Sequence, residues 1–141
     1  MKALTIVFNH DLSKILLKEI NNKTEYTLPE MEIHAKKNPM LFAYEAIKEV
    51  FGRSYINMQL WFLKTEVCEG NRYTNNSSSY YISTGVVTDA AVMLSTTDFQ
   101  WVSINMLRRD MLPIKQPNLY GYIHEALSLL NVINSQGDRI S

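Results

Sequence analysis

Residues Leu28 to Gly52 read LPEMEIHAKKNPMLFAYEAIKEVFG, and the rest of the chain is organised around them. Met40, Ala43, Tyr44, Ile47, Val50 and Phe51 recur at offsets of three and four, which places them along one stripe of a helix. Glu45, Lys48 and Glu49 fall mostly off that stripe. Pro39 suits a first helical turn, where its missing N–H costs nothing, and Asn38 before it is an N-cap residue. Gly52 closes the pattern as a C-terminal stop. The first half, Leu28 to Lys37, reads as a short extended piece followed by a polar loop. A strand, a loop and a helix carrying carboxylates is a common way to build a metal–phosphate site, so the identity of each polar residue here matters.

Working outward from this stretch, Lys2 to Phe8 and Lys14 to Ile20 are strand candidates joined by the turn Asn9 to Ser13. Asn21 to Lys23 forms a second turn, and Tyr26 and Leu28 continue as an extended segment into Pro29. Downstream, Tyr55 to Val67 is long and apolar, with Met58, Leu60 and Phe62 alternating against Asn57, Gln59 and Trp61. That alternation predicts a central strand. Cys68 to Ser79 is the most polar stretch and predicts a loop or hairpin tip. Tyr80 to Val87 and Ala90 to Leu94 are further strand candidates, and Thr96 to Asp98 makes a turn. Leu119, Ile123, Ala126, Leu127, Leu130 and Ile133 recur at helical spacing, which predicts a last helix ending near Ile133 and a polar tail over 134–141.

The 141 residues suffice for one domain with a real core, and 46% of them are hydrophobic. Charge balances to zero, so no bulk positive field advertises nucleic acid binding. The opening residues MKALTIVFN lack the long apolar core of a signal peptide. No apolar run approaches the roughly 18 residues of a membrane span. A lone Cys68 rules out an intrachain disulfide and fits a reducing compartment. The expectation is a cytoplasmic protein with no membrane association. His10, in a turn, and Cys68, with no histidine in a recognisable motif beside it, are read as structural residues rather than reactive ones.

The stretch Leu28 to Gly52 resembles the signature of the Nudix family, the MutT-like pyrophosphohydrolases. That pattern begins Leu-Pro-Gly-Gly, passes through an acidic loop, and ends in a helix with Arg-Glu, two residues, Glu-Glu, one residue and Gly. Leu28 and Pro29 match its start and Gly52 its last glycine, with no gap between them. The chemistry-bearing positions differ. Both glycines are replaced, by Glu30 and Met31, and the loop glutamates become His34 and Lys37. The helix arginine is Glu45 and its neighbouring glutamate is Ala46; of the final pair, Glu49 remains and the second is Val50. The later piece DFQWVSINMLRRDMLP also resembles the family, through Trp101-Val102, a short helix capped by Ser103 or Asn105, and Leu112-Pro113.

The resemblance implies a Nudix-like α/β/α sandwich around a mixed sheet, covering nearly the whole of residues 1–141. It also implies water attack on a diphosphate with magnesium or manganese as the cofactor, held by glutamates on the signature helix. Of that set only Glu49 stands in place, and Glu45, one turn earlier, shares a face with it. These two are the candidate metal and catalytic residues. Glu30 and His34 are candidates for a rearranged ligand set in the loop, and Met31 for filling space that a phosphate would occupy. Trp61 and Tyr81 are candidates for stacking on a base, and Arg108, with Arg109 and Lys115, for meeting a phosphate or an acidic partner. The depleted ligand set leads to the expectation of a non-catalytic domain with no cofactor. It would work in binding, either of a nucleotide-like ligand or of a protein partner, including a second copy of itself. A divergent hydrolase acting on a nucleoside diphosphate-linked substrate with magnesium or manganese is the alternative.

Overall fold

The computed structural model describes residues 1–22, 24–34, 36–68, 78–88, 92–95 and 97–140. The first hairpin forms where the alternation placed it, with β1 at Lys2–Phe8 and β2 at Lys14–Ile20. Its turn is held by Asn9, whose side-chain oxygen accepts the backbone N–H groups of Ser13 and Lys14 at 3.0 and 2.8 Å. Two short strands follow, β3 (Glu25–Thr27) on β2 and β4 (Glu30–Glu32) on β1. Helix α1 then runs from Pro39 to Phe51.

A 3-10 turn over Gly52–Asn57 separates α1 from β5 (Leu60–Cys68), which is followed by β6 (Ser78–Val86). The last elements are β7 (Phe99–Ser103), α2 (Ile104–Asp110) and α3 (Leu119–Ile140). β1 runs parallel to β6 in the register Lys2↔Tyr80 to Phe8↔Val86, and the other pairings are antiparallel. The sheet is therefore mixed. Its main path is β3-β2-β1-β6-β5, with β4 beside β1 and β7 beside β2.

Both faces of the sheet are apolar, and a helix covers each. Leu4, Ile6, Phe8 and Ile82 point to the face where Leu119, Ile123 and Ala126 of α3 pack. Val7, Leu16, Leu60 and Val87 point to the opposite face, against Ala43, Ile47, Val50 and Phe51 of α1. Fully burying a side chain of this size contributes about 1.5–3 kcal/mol, so these two layers hold the sandwich together. Among the described residues no helix is long and apolar enough to cross a membrane.

Three expectations change. The segment from Tyr55 does not enter the sheet until Leu60, and β5 lies at the end of the strand order rather than in its centre. Its apolar run packs on both faces only at its start, Leu60 against the α1-side core and Trp61 and Leu63 against the α3-side core. The strand expected over Ala90 to Leu94 is not formed at 92–94. Leu94 instead donates its N–H to Val50 O at 2.8 Å and packs over the end of α1. Helix α3 continues past Ile133 to Ile140: no proline interrupts Asn134 to Ile140, and Gly137 stays within the helix. Of the two expected caps of α2, Ser103 serves, its Oγ accepting the Met106 N–H at 3.4 Å. The polar tip expected over most of Cys68 to Ser79, like the side chain of Cys68, lies outside the described residues.

Candidate active site

The signature helix is built locally as its residues dictate. Asn38 Oδ1 accepts the Met40 N–H at 3.0 Å, and Pro39 occupies the first turn. Gly52 ends α1 with φ at 59° and donates its N–H to Lys48 O. A side chain is disfavoured there on two counts: the left-handed backbone, and Leu94, which an added Cβ would approach to 3.1 Å. On the sheet side of α1, Val50 is 0% exposed and Ala46 is 4% exposed. Two of the three helix positions where the resembled signature carries carboxylates are thus core positions in this chain. Glu45 and Glu49 are exposed, one turn apart. Among the described residues, no three of His, Cys, Asp and Glu are placed to hold one metal ion.

The loop candidates diverge from these carboxylates. Glu30 pairs in register with Leu4, so strand alternation puts its side chain on the α3 face of the sheet. There Glu30 Oε1 accepts from Lys115 Nζ at 3.0 Å and lies 3.7 Å from Lys2 Nζ. The other oxygen, Oε2, is buried without a hydrogen-bond donor among the described residues. Met31 pairs with Ala3 and points to the α1 face, partly buried. His34 is exposed, with its ring edge-on to Phe42 at 6.3 Å.

The aromatic candidates separate in the same way. Tyr81 pairs with Ala3 and lies on the α1 face. Phe62 stacks on it, with ring centroids 4.8 Å apart and planes 29° from parallel. Phe62 is 48% exposed, so the pair forms an aromatic platform open to solvent. Partial burial pushes the Tyr81 hydroxyl pKa above its ordinary value, which keeps it neutral. Thr5 and Ser83 lie buried on the same face, the Ser83 hydroxyl donating to Thr5 Oγ1 at 3.5 Å. Trp61 packs instead against the α3-side core. Arg108, on α2, lies over the Tyr120 ring at 5.7 Å and lines a cavity of about 370 Å³ with Met111, Leu112 and Tyr120. The structure therefore brings Tyr81 together with Phe62 but not with Trp61, Glu30 or Arg108. Phe62 stands on the same face as Leu60, as alternation predicts, but Leu60 is buried and Phe62 is not, and nothing in the sequence separates the two. A bulge between Phe62 and Lys64 shifts the register only after that point.

No family model matches the sequence, and no curated protein matches it. Solved structures do match. The E. coli dihydroneopterin triphosphate pyrophosphohydrolase superimposes with a TM-score of 0.69 at 9% identity, over 90% of this chain and 94% of that one. A C. elegans Ap4A hydrolase in a binary complex gives a TM-score of 0.66 at 12% identity, over 92% and 96%. The NUDIX domain of Shewanella oneidensis NrtR, complexed with ADP ribose, gives 0.63 at 15% identity, over 92% and 86%. The chain has the Nudix fold. The stretch that resembles the Nudix signature spans β4 and α1, from Glu30 to Phe51, with Leu28 and Pro29 before it and Gly52 after it. Within this Nudix fold the α1 face of the sheet carries the Phe62–Tyr81 platform, and α1 itself carries Glu45 and Glu49.

Proposed function

We propose that this Nudix-fold chain binds a nucleotide-like small molecule without hydrolysing it. The observation that carries the reading is the burial of Ala46 and Val50. Magnesium demands near-ideal octahedral oxygen coordination and enters a phosphate site through carboxylates. Here two of the three helix positions that would supply them are apolar and lie in the core. Glu30 is turned to the opposite face and neutralised by Lys115 and Lys2. The residues present do not fit a catalytic magnesium or manganese.

The ligand class follows from the platform. An exposed Phe62 stacked on Tyr81 offers a planar apolar surface on the α1 side of the sheet, and base–aromatic stacking contributes about 1–3 kcal/mol per base. A Nudix-fold domain complexed with ADP ribose supports the same class. The test is a thermal-shift screen of nucleotides, dinucleotides and ADP-ribose, each with magnesium and with chelator. A ligand at 100 times its dissociation constant is expected to stabilise the fold by about 2.7 kcal/mol in either condition. Phe62→Ala is expected to weaken that binding about tenfold or more. Absence of any shift across the panel would overturn the ligand reading.

The divergent-hydrolase reading has one observation of its own: Glu45 and Glu49 are both exposed and one turn apart. It requires a shift that depends on magnesium or manganese and is lost in Glu49→Gln.

A further inference from the structure

We propose that β5 is a self-association edge, where a second copy of this chain continues the sheet by antiparallel pairing about a two-fold axis through Thr65. β5 is the end of the strand path and pairs only with β6 among the described strands. Its outer edge thus presents N–H and C=O groups that a further strand would satisfy. Past the bulge, the ladder on β6 is unbroken from Lys64 to Cys68, so this part of the edge is straight enough to template a partner. The covering helices leave its α1 face open: Thr65 is exposed and Val67 is 64% exposed.

Charge selects the occupant and the register. A two-fold axis perpendicular to a continuous sheet must pass through a residue, because opposed side chains have to share a face. An axis at Lys64 sets Lys64 against its own copy. An axis at Glu66 sets Glu66 against its own copy. Like charges directly opposite one another are destabilising. An axis at Thr65 sets Lys64 against Glu66 twice, with Thr65 against Thr65 between them. Lys64 and Glu66 share the α3 face, where they are already held: Lys64 Nζ donates to Glu125 at 3.3 Å, and Glu66 accepts from the Tyr122 hydroxyl. The bulge at Leu63 then ends the pairing, which restricts it to a closed dimer contact rather than an open-ended one.

The test is sedimentation velocity of the full chain over a range of concentrations, with circular dichroism to verify folding. The wild type is expected to pass from monomer to dimer as concentration rises. Lys64→Glu replaces two attractive pairs with two repulsive ones and is expected to weaken the dimer by roughly tenfold or more. The double reversal Lys64→Glu with Glu66→Lys restores both pairs and is expected to restore the dimer. Thr65→Lys places two ammonium groups at the axis and is expected to give a folded monomer, without disturbing the Lys64 and Glu66 contacts within the chain. A wild type that stays monomeric at every concentration overturns the proposal. So does a dimer that Thr65→Lys leaves intact, or a folded double reversal that remains monomeric.

Discussion

The two sides of helix α1 have opposite chemistry. The side toward the sheet holds Ala43, Ala46, Ile47, Val50 and Phe51, all buried, whereas the outer side holds Leu41, Glu45, Lys48 and Glu49, all exposed. In a metal-dependent Nudix site, carboxylates stand at the positions of Ala46, Glu49 and Val50, which straddle the border between these sides. In this chain Ala46 and Val50 lie in the core, and of the three positions only Glu49 is an exposed carboxylate. The lesson is that the frame, caps and packing of a helix use different residues from those that carry its outward chemistry, so the two can vary independently.

The sharpest way to break this comparison is to put a carboxylate back on the inner side. Val50→Glu buries an ionisable group among Val7, Leu16 and Leu60 with no cation beside it. Burial of that degree raises a carboxyl pKa by up to 3–5 units, so the expected destabilisation at neutral pH is on the order of 4 kcal/mol. The sign can be checked by pH. The folded pKa is raised, so stability is greatest below the unfolded value of about 4.3 and falls as pH climbs toward the folded value. Urea denaturation at several pH values reads both quantities. A Val50→Glu protein as stable as the wild type would show that this side of α1 is still an open site.

A smaller effect is expected at the rim. Tyr44 anchors α1 to the start of β5 by accepting the Leu60 N–H on its hydroxyl at 2.9 Å. Tyr44→Phe leaves that donor unpaired in a partly buried place and is expected to cost about 1–2 kcal/mol in the same denaturation assay. The smallest effect belongs to the outer side. Glu45→Gln and Glu49→Gln remove charges that stand in water, so each is expected to change stability by less than about 0.5 kcal/mol. A loss well above that in either variant would mean its carboxylate holds part of the fold, and the division between the two sides would have to be redrawn.

Much of this was legible in the sequence because the relevant signals are local. Asn38, Pro39 and Gly52 punctuate α1, and its apolar stripe at three and four has one physical solution. The β1–β2 hairpin and the Trp101-Val102 strand leading into a capped α2 were equally plain. What escaped depends on distant partners. The order of strands put β5 at an edge, and no property of residues 60–68 encodes that. Leu94 looked like strand because it is apolar and follows Val92, yet its partner is the end of α1. For the candidate site, the loss of carboxylates at 46 and 50 was visible residue by residue, whereas the exposure of Phe62 was not. Leu60 and Phe62 share one face, yet only Leu60 is covered, and nothing local tells the two apart. Its place in the loop suggested Glu30 and its aromatic ring Trp61, and register places both on the other face.

The central claim is that this Nudix frame binds and does not cleave. Its most direct test is to incubate the protein with ADP-ribose in the presence of manganese, resolve the nucleotides by chromatography, and titrate the same ligand calorimetrically in chelator. The account predicts intact ADP-ribose after prolonged incubation and an unchanged binding isotherm without metal. Release of AMP at about 1 per second, within the ordinary enzyme range and abolished by Glu49→Gln, would contradict it.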